Sequence, residues 1–392
     1  MKKSIGAVVL LVTAFLYAGC GQPTPQPPPV ITKPPQVVTP VPPPPKPEWQ
    51  QKWDATLAEA KKEGKLNVYA LWGQEPRAAL SQAFRDKYGI DVEFTSFARG
   101  SEMLAKVQTE NRAGLNIADV FGSGGGTFIS AMKPAGVLGN IKSLLFLPEV
   151  VDPKMWRGGK LTFSDKDGTT IPMVASAQRF MIYNTNLVQK GELTAYEDAL
   201  KPQYKGKISL NDPRVTGSGS NLFSHLALNI WNVEKTRDFL TRVVRDQQAE
   251  IIRDNRLQVE VIAKGKHSIG LGARVATQAE FLDAGAPIAQ VQTDEVYSSH
   301  ADGVLGIPTK SAHPNATIIF VNWLLSKEGQ AVFVKSTLNP SLRLDAPTEG
   351  INPIFFTRPE EKLYPDSEED IIFRGKFIVE MKGIIAEAEK GK

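Results

Sequence analysis

From Trp53 to Phe121 the apolar residues switch repeatedly between helical and strand spacing, with glycines at two of the switches. That alternation restricts the chain to sheets with helices packed over them. Trp53, Leu57 and Ala60 share one helical face, Lys61, Lys62 and Glu63 take the other, and Gly64 stops the helix. Residues 66–72 read as a strand, and 74–88 as a helix with Leu80, Phe84 and Tyr88 inward. Gly89 ends that helix before a second strand at 90–94. Ser101 caps a helix through Arg112, and 117–121 is a short strand. Such alternation predicts a parallel sheet covered on both faces.

Turn residues dominate 143–169, after which the pattern resumes. Strands are expected at 180–183, 207–210, 268–272 and 288–291, and helices at 221–231, 235–244, 259–263 and 276–284. A strand-like return at 302–307 precedes a strongly apolar helix at 315–325. Two α/β blocks with a return after the second predict two lobes crossed more than once by the chain. Residues 368–390 place Phe373, Phe377, Met381 and Ile384 at helical spacing, the pattern of a helix docked on the body.

The start of the chain is a processing segment rather than fold. Lys2 and Lys3 precede an apolar run from Ile5 to Tyr17, which ends in Ala18-Gly19 before Cys20. A charged start, a short apolar stretch and a small-residue site describe a secretory signal. The run is too short for a permanent membrane span. Cys20 is the only cysteine. It is read against a buried thiol and an intermolecular disulfide as a lipid acceptor, because Leu16-Tyr17-Ala18-Gly19-Cys20 resembles a lipobox, with Tyr17 where leucine is commonest. The segment from there to Pro47 is about half proline and favours extended polyproline II at about 3.1 Å per residue, a spacer between lipid and body.

Formal charge is +4, with cations and anions interleaved and no basic stripe, so nucleic acid is not an expected partner. No G-x-S-x-G elbow, H-E-x-x-H, P-loop lysine motif or cysteine-based metal spacing is present, and His225, His267, His300 and His313 are scattered. A secreted enzyme is therefore an alternative without a motif behind it, and no cofactor is expected.

Several phrases resemble one family, the bacterial extracellular solute-binding proteins of the ferric-ion, thiamine and phosphonate-type group of ABC transporters. They include Ala60-Lys61-Lys62-Glu63-Gly64-Lys65-Leu66, Phe84-Arg85-Asp86-Lys87-Tyr88-Gly89, Ile182-Tyr183-Asn184-Thr185, Asn211-Asp212-Pro213-Arg214 and Leu324-Leu325-Ser326-Lys327-Glu328-Gly329. The resemblance runs in family order over residues 57–333. It implies an α/β, two-lobed, type II periplasmic-binding fold with a ligand cleft between lobes and hinge crossings near 171–180 and 297–308. The expected organisation is a signal peptide at 1–19 and a lipidated cysteine with a disordered linker at 20–47. One lobe then takes 48–173 with 300–345 and the other 174–299, with a C-terminal extension at 346–392. It further implies a monomer, exported and held by lipid at the outer face of a membrane, with a permease as partner. Solute sensing without transport is the alternative.

The iron branch of that family carries paired tyrosines after the strand matching 268–272, and often a histidine or glutamate near the first strand. Here the strand leads into Ala273-Arg274-Val275, and the first into Leu71-Trp72-Gly73, so no metal ligands are assigned; Tyr297 and His300 keep ferric ion as an alternative cargo. In this fold the loops at strand ends lead into helix N-termini that face the cleft. Expected ligand contacts are Trp72, Arg99, Ser101, Ser123, Gly124, Thr127, Arg179, Thr216, Ser218 and Arg274. Glycine admits the backbone, hydroxyls donate, and arginine grips carboxylate or phosphoryl oxygens, so a small anionic organic solute is expected. Gly-Ser runs also serve as plain turns and caps, Arg179 suits a hinge ion pair, and Trp72 suits a core.

Overall fold

The computed structural model describes residues 45–300 and 302–391, with residues 19, 21 and 26 isolated before them. The expected lipid acceptor Cys20, and nearly all of the signal and proline-rich segments, lie outside the described residues. Lys46–Lys392 forms one compact unit. Among the described residues no helix is long and apolar enough to cross a membrane.

The first lobe opens with α1 (Glu48–Glu63), β1 (Lys65–Ala70), α2 (Gln74–Tyr88) and β2 (Asp91–Ser96). Gly64 and Gly89 close the two helices in left-handed conformation, with φ of 73° and 71°. There follow α3 (Gly100–Arg112), β3 (Val120–Ser123) and the short α4 (Gly125–Thr127), which continues as a π-helical turn over Phe128–Met132. After α5 (Pro148–Val151) and several 3-10 turns, β4 (Thr170–Pro172) reaches the far edge of the sheet.

The chain leaves this lobe through β5 (Ser176–Gln178) and builds a second sheet. Its elements are β6 (Met181–Asn184), β7 (Ile208–Asn211), α6 (Ser218–His225), α7 (Val233–Arg245), β8 (Glu250–Ile252), α8 (Asn255–Ala263), β9 (Ile269–Leu271), α9 (Val275–Asp283) and β10 (Ile288–Gln290). It returns through β11 (Glu295–Ser299) to β12 (Val304–Gly306), α10 (Pro314–Leu325) and α11 (Lys327–Thr337). It then runs back past the hinge as β13 (Lys362–Pro365) and ends in α12 (Glu368–Lys390).

Strand orders are β2-β1-β3-β12-β4 in the first lobe and β10-β6-β9-β7-β8 in the second. Neither sheet is all-parallel, and the sequence expectation is corrected there. β1 pairs in parallel with β2 and β3, whereas β12 runs antiparallel to β3 and β4. In the second sheet β6 is antiparallel to β9 and β10. β12 and β6 are the strands that enter a sheet directly from the hinge. They start at the cleft side, where their neighbours end, and so must run against them. The crossings are themselves a sheet, β13-β11-β5, with Tyr297 opposite both Gln178 and Tyr364.

Each lobe has its own core. Leu66, Val68, Leu80, Phe84, Phe320 and Trp323 pack in the first, and Leu210, Phe223, Phe239, Phe377, Met381 and Ile385 in the second. Three of the latter come from α12, so the terminal helix completes the second lobe. At about 1.5–3 kcal/mol for each fully buried side chain, that docking is firm. Phe377 and Met381 are buried on the expected face, Phe373 and Ile384 pack half-buried at its edges, and Ile385 is fully buried beside them. Ser367 and Asp370 form the capping box that starts the helix.

Candidate functional site

A cavity of about 270 Å³ lies between the lobes, bordered by strand-to-helix loops from both and by the hinge strands. From the first lobe come Gly124, Gly125, Gly126 and Thr127. From the second come Thr216, Gly217, Ser218, Asn221 and Arg274, with Asn255 at the start of α8. The two rims nearly touch, since a Cβ built on Gly126 would stand 3.7 Å from Thr216 Cγ2.

Local sequence explains the second-lobe wall. Gly219 brings α6 against the end of β7, where an added Cβ would meet Asn211 O at 2.2 Å. Asn211 Oδ1 accepts the Gly219 N–H at 2.9 Å, and Asn211 Nδ2 donates to Asn255 Oδ1 at 3.1 Å. One asparagine thus ties two helix starts together. Ser218 is 8% exposed and its Oγ has no partner; the buried Asn221 Oδ1 also has none. Unmade hydrogen bonds at buried polar atoms are costly, and both of these residues line the cavity.

Arg274 stands just ahead of α9, exposed on the cavity wall, without an ion pair or side-chain hydrogen bond among the described residues. Its turn is held from the hinge. Gln178 Nε2 donates to Ala273 O at 2.7 Å, and Gln178 Oε1 accepts the Val275 N–H at 2.8 Å. Asp302 also borders the cavity; burial pushes its carboxyl up, and the Arg274 charge works against that rise.

The floor comes from β11 and the C-terminal segment. Arg374 is 5% exposed, pairs with Asp366, and donates from Nε to Ser224 Oγ at 3.3 Å. Tyr297 donates its hydroxyl to the same carboxylate, and burial holds its phenol well above the ordinary range. His300 lies beside them, its imidazole pushed down by burial.

Of the residues expected from sequence, Gly124, Thr127, Thr216, Ser218 and Arg274 converge on this cavity. Ser123 sits one residue away, fully buried, with an unpartnered Oγ. The others do not border it. Trp72 is 4% exposed and packs on Phe94 and Phe333, with its indole donating to Asp302 O at 2.8 Å. Arg99 and Ser101 are exposed at the start of α3. Arg179 is buried in an ion pair with Glu361 and donates to Ile354 O and Phe356 O at 3.1 and 3.2 Å. Sequence reasoning missed Gln178, Asn221, Asp366 and Arg374. Asn221 was findable, being one helical turn past Gly217, but Asp366 and Arg374 lie in a segment with no local mark of a site.

Among the described residues no group of three or more His, Cys, Asp or Glu is placed to hold a metal ion. Tyr297 has no second tyrosine on the cavity wall, and its hydroxyl is committed to Asp366.

Two α/β lobes joined by hinge strands, with a polar cavity between them, define a binding protein that encloses a small solute. A family profile of bacterial extracellular solute-binding proteins matches residues 79–354, and the chain belongs to that family, whose type II fold serves as the solute-binding component of ABC transporters. An uncharacterized protein of Haemophilus influenzae is 25% identical over 285 residues, covering 70% of this chain and 77% of the relative. Similar solved structures include Trichodesmium FutA with iron and citrate (18% identity, TM-score 0.65, covering 83% of this chain and 99% of that one). AfuA of Actinobacillus pleuropneumoniae with fructose-6-phosphate is 20% identical, TM-score 0.62, with the same coverage. The ferric iron-binding protein A of Mannheimia haemolytica is 18% identical, TM-score 0.62, covering 84% and 99%.

Proposed function

We propose that the interlobe cavity captures a small anionic organic solute, phosphorylated or carboxylated, and that the protein hands it to an ABC permease while held at the membrane by lipid on Cys20. The observation that carries the ligand class is the unpaired Arg274 beside the unpartnered Ser218 hydroxyl at the start of α6. A guanidinium, a hydroxyl donor and a positive helix end together favour oxyanions. Gly124–Thr127 closes the opposite side with backbone and one hydroxyl. A cavity near 270 Å³ suits a solute of few carbons. AfuA, of similar fold, was solved with a sugar phosphate, which is consistent with this class. The reading is capture without turnover, by a monomer.

A thermal-shift screen of refolded protein tests the reading, using sugar phosphates, phosphonates, dicarboxylates, thiamine and ferric ion with and without citrate. A ligand at 100 times its Kd adds about 2.7 kcal/mol, a clear rise in Tm. The expected result is a shift with a phosphorylated or carboxylated compound that disappears in Arg274→Gln. A shift with ferric ion alone that persists in that variant overturns it.

A further inference from the structure

A second cavity, of about 410 Å³, lies behind the first, between the loop that leads into β4 and the start of the C-terminal helix. His300 and Asp366 border both cavities. The walls are apolar at Phe163, Pro172, Leu342 and Leu363. The acids on the wall are matched: Asp165 and Glu368 with Lys133, Glu369 with Lys166, and Asp366 with Arg374.

Arg157 has no such match. Its guanidinium is half-buried on the wall, with no ion pair or hydrogen bond among the described residues. Ser164 lines the same space at 6% exposure, and its Oγ has no partner. The loop carrying Ser164 is fixed, because Asp165 accepts the N–H groups of Thr169 and Thr170 at 2.9 and 3.2 Å, and Ser164 N donates to Thr170 O at 3.0 Å. Arg157 stands outside that loop, on a turn whose backbone is held by its own N–H donating to Leu342 O at 2.9 Å, so a pinned hydroxyl and an unpaired cation meet over apolar walls in a preformed recess rather than a crease in the surface.

We propose that this recess is a second ligand site, separate from the interlobe cleft, which takes a small organic monocarboxylate with an apolar body. Arg157 grips the carboxylate, the Ser164 hydroxyl donates to it, and Phe163, Leu342 and Leu363 cover the body. The four acids on the wall are neutralised by their own cations, so the buried charge left for a ligand is one guanidinium, and the apolar walls favour an organic monocarboxylate over inorganic phosphate.

Calorimetric titration of the full-length protein with benzoate and hexanoate, and with inorganic phosphate as control, tests this. The expected result is saturable binding of at least one carboxylate, weakened tenfold or more by Arg157→Gln and measurably by Ser164→Ala, unchanged in Arg274→Gln, and not displaced by phosphate. The Ser164 variant keeps the test open if the Arg157 variant folds poorly. Absence of saturable binding, or an affinity that both variants leave within twofold, overturns the proposal. So does loss of carboxylate binding in Arg274→Gln, which would place the carboxylate in the cleft; failure of the cleft reading itself shows instead in the solute screen above.

Discussion

Gln178, on a hinge strand, accepts the backbone N–H of Val275 at 2.8 Å, one residue beyond the arginine that faces the cleft. The strand that joins the lobes therefore also fixes the turn that presents Arg274. Gln278 supports the same turn, donating to Ala273 O at 2.7 Å, so the carbonyl has two donors and the Val275 amide is served by one side-chain acceptor.

Gln178→Ala is expected to leave the Val275 N–H unpaired in a buried setting, costing about 1–3 kcal/mol of stability. Solute affinity should fall as well, because the Arg274 turn loosens. Titration with the solute identified by thermal shift, alongside urea unfolding, checks both. An unchanged Kd with a lowered unfolding midpoint would show that Gln178 supports the fold without positioning Arg274.

Arg374 and Asp366 are paired at the cavity floor. Removing one partner of a buried pair leaves an uncompensated charge, typically about 3–5 kcal/mol, whereas replacing both with apolar groups is far milder. Arg374→Leu should thus be strongly destabilising, and Arg374→Leu with Asp366→Leu should recover much of the loss. Urea midpoints of the two single variants and the double one decide it. Near-additive losses would mean that the bonds to Tyr297 and Ser224 outweigh the pair.

Lys133, just beyond the π-helical turn of the first lobe, contacts Asp165 at 2.9 Å, Asp167 at 2.8 Å and Glu368 at 2.7 Å. Glu368 opens α12, whose body is packed into the second lobe. Lys133 therefore ties the first lobe to a helix that belongs to the other, alongside Lys166, which pairs with Glu369 and donates its backbone N–H to Glu368 at 3.2 Å. Lys133→Ala should speed amide exchange over residues 363–371 by tenfold or more while α12 beyond Phe377 stays protected. Equal protection in both proteins would show that the capping box, Ile371 and the Lys166 contacts hold the first turn without Lys133.

The lobes were legible because their signals are local. Gly64 and Gly89 mark helix ends, and period-two runs mark the strands between. The hinge sheet was not, because β5, β11 and β13 are short strands whose partners lie far along the chain, and nothing in Ser176-Ala177-Gln178 separates a crossing strand from a loop. The cleft divides the same way. Thr216 and Ser218 stand in a glycine-rich run directly after a strand, and Arg274 follows another. Asp366 and Arg374 reach the floor only because α12 folds back over the second lobe. Arg179 misled because a lone arginine near a crossing fits both an anion grip and a buried pair, and Glu361, which decides between them, is remote in sequence.

His225 supplies a pH dependence of definite sign. Its ring is 2% exposed, packed beside Phe180, Tyr297 and Tyr364, with Nδ1 accepting from Asn229 Nδ2 at 3.0 Å. Burial pushes its pKa down to about 4 from an ordinary 6.5. The unfolded chain therefore takes up this proton first as pH falls. Above pH 6.5 the residue is neutral in both states and has no effect; between 6.5 and 4 it weakens the fold progressively, by about 3 kcal/mol at the acid end. Carboxylates held low by their partners, such as Asp165, Asp212 and Glu361, keep their stabilising charge through the upper part of that window and lose it only as pH falls through their own depressed values. His225→Phe is accordingly expected to flatten the stability profile from pH 6.5 to 5 while leaving the later acid loss in place. Urea unfolding at half-unit pH steps reads this directly. Parallel profiles for the two proteins would mean that His225 is protonated in the folded state and that its aromatic surroundings do not exclude the charge.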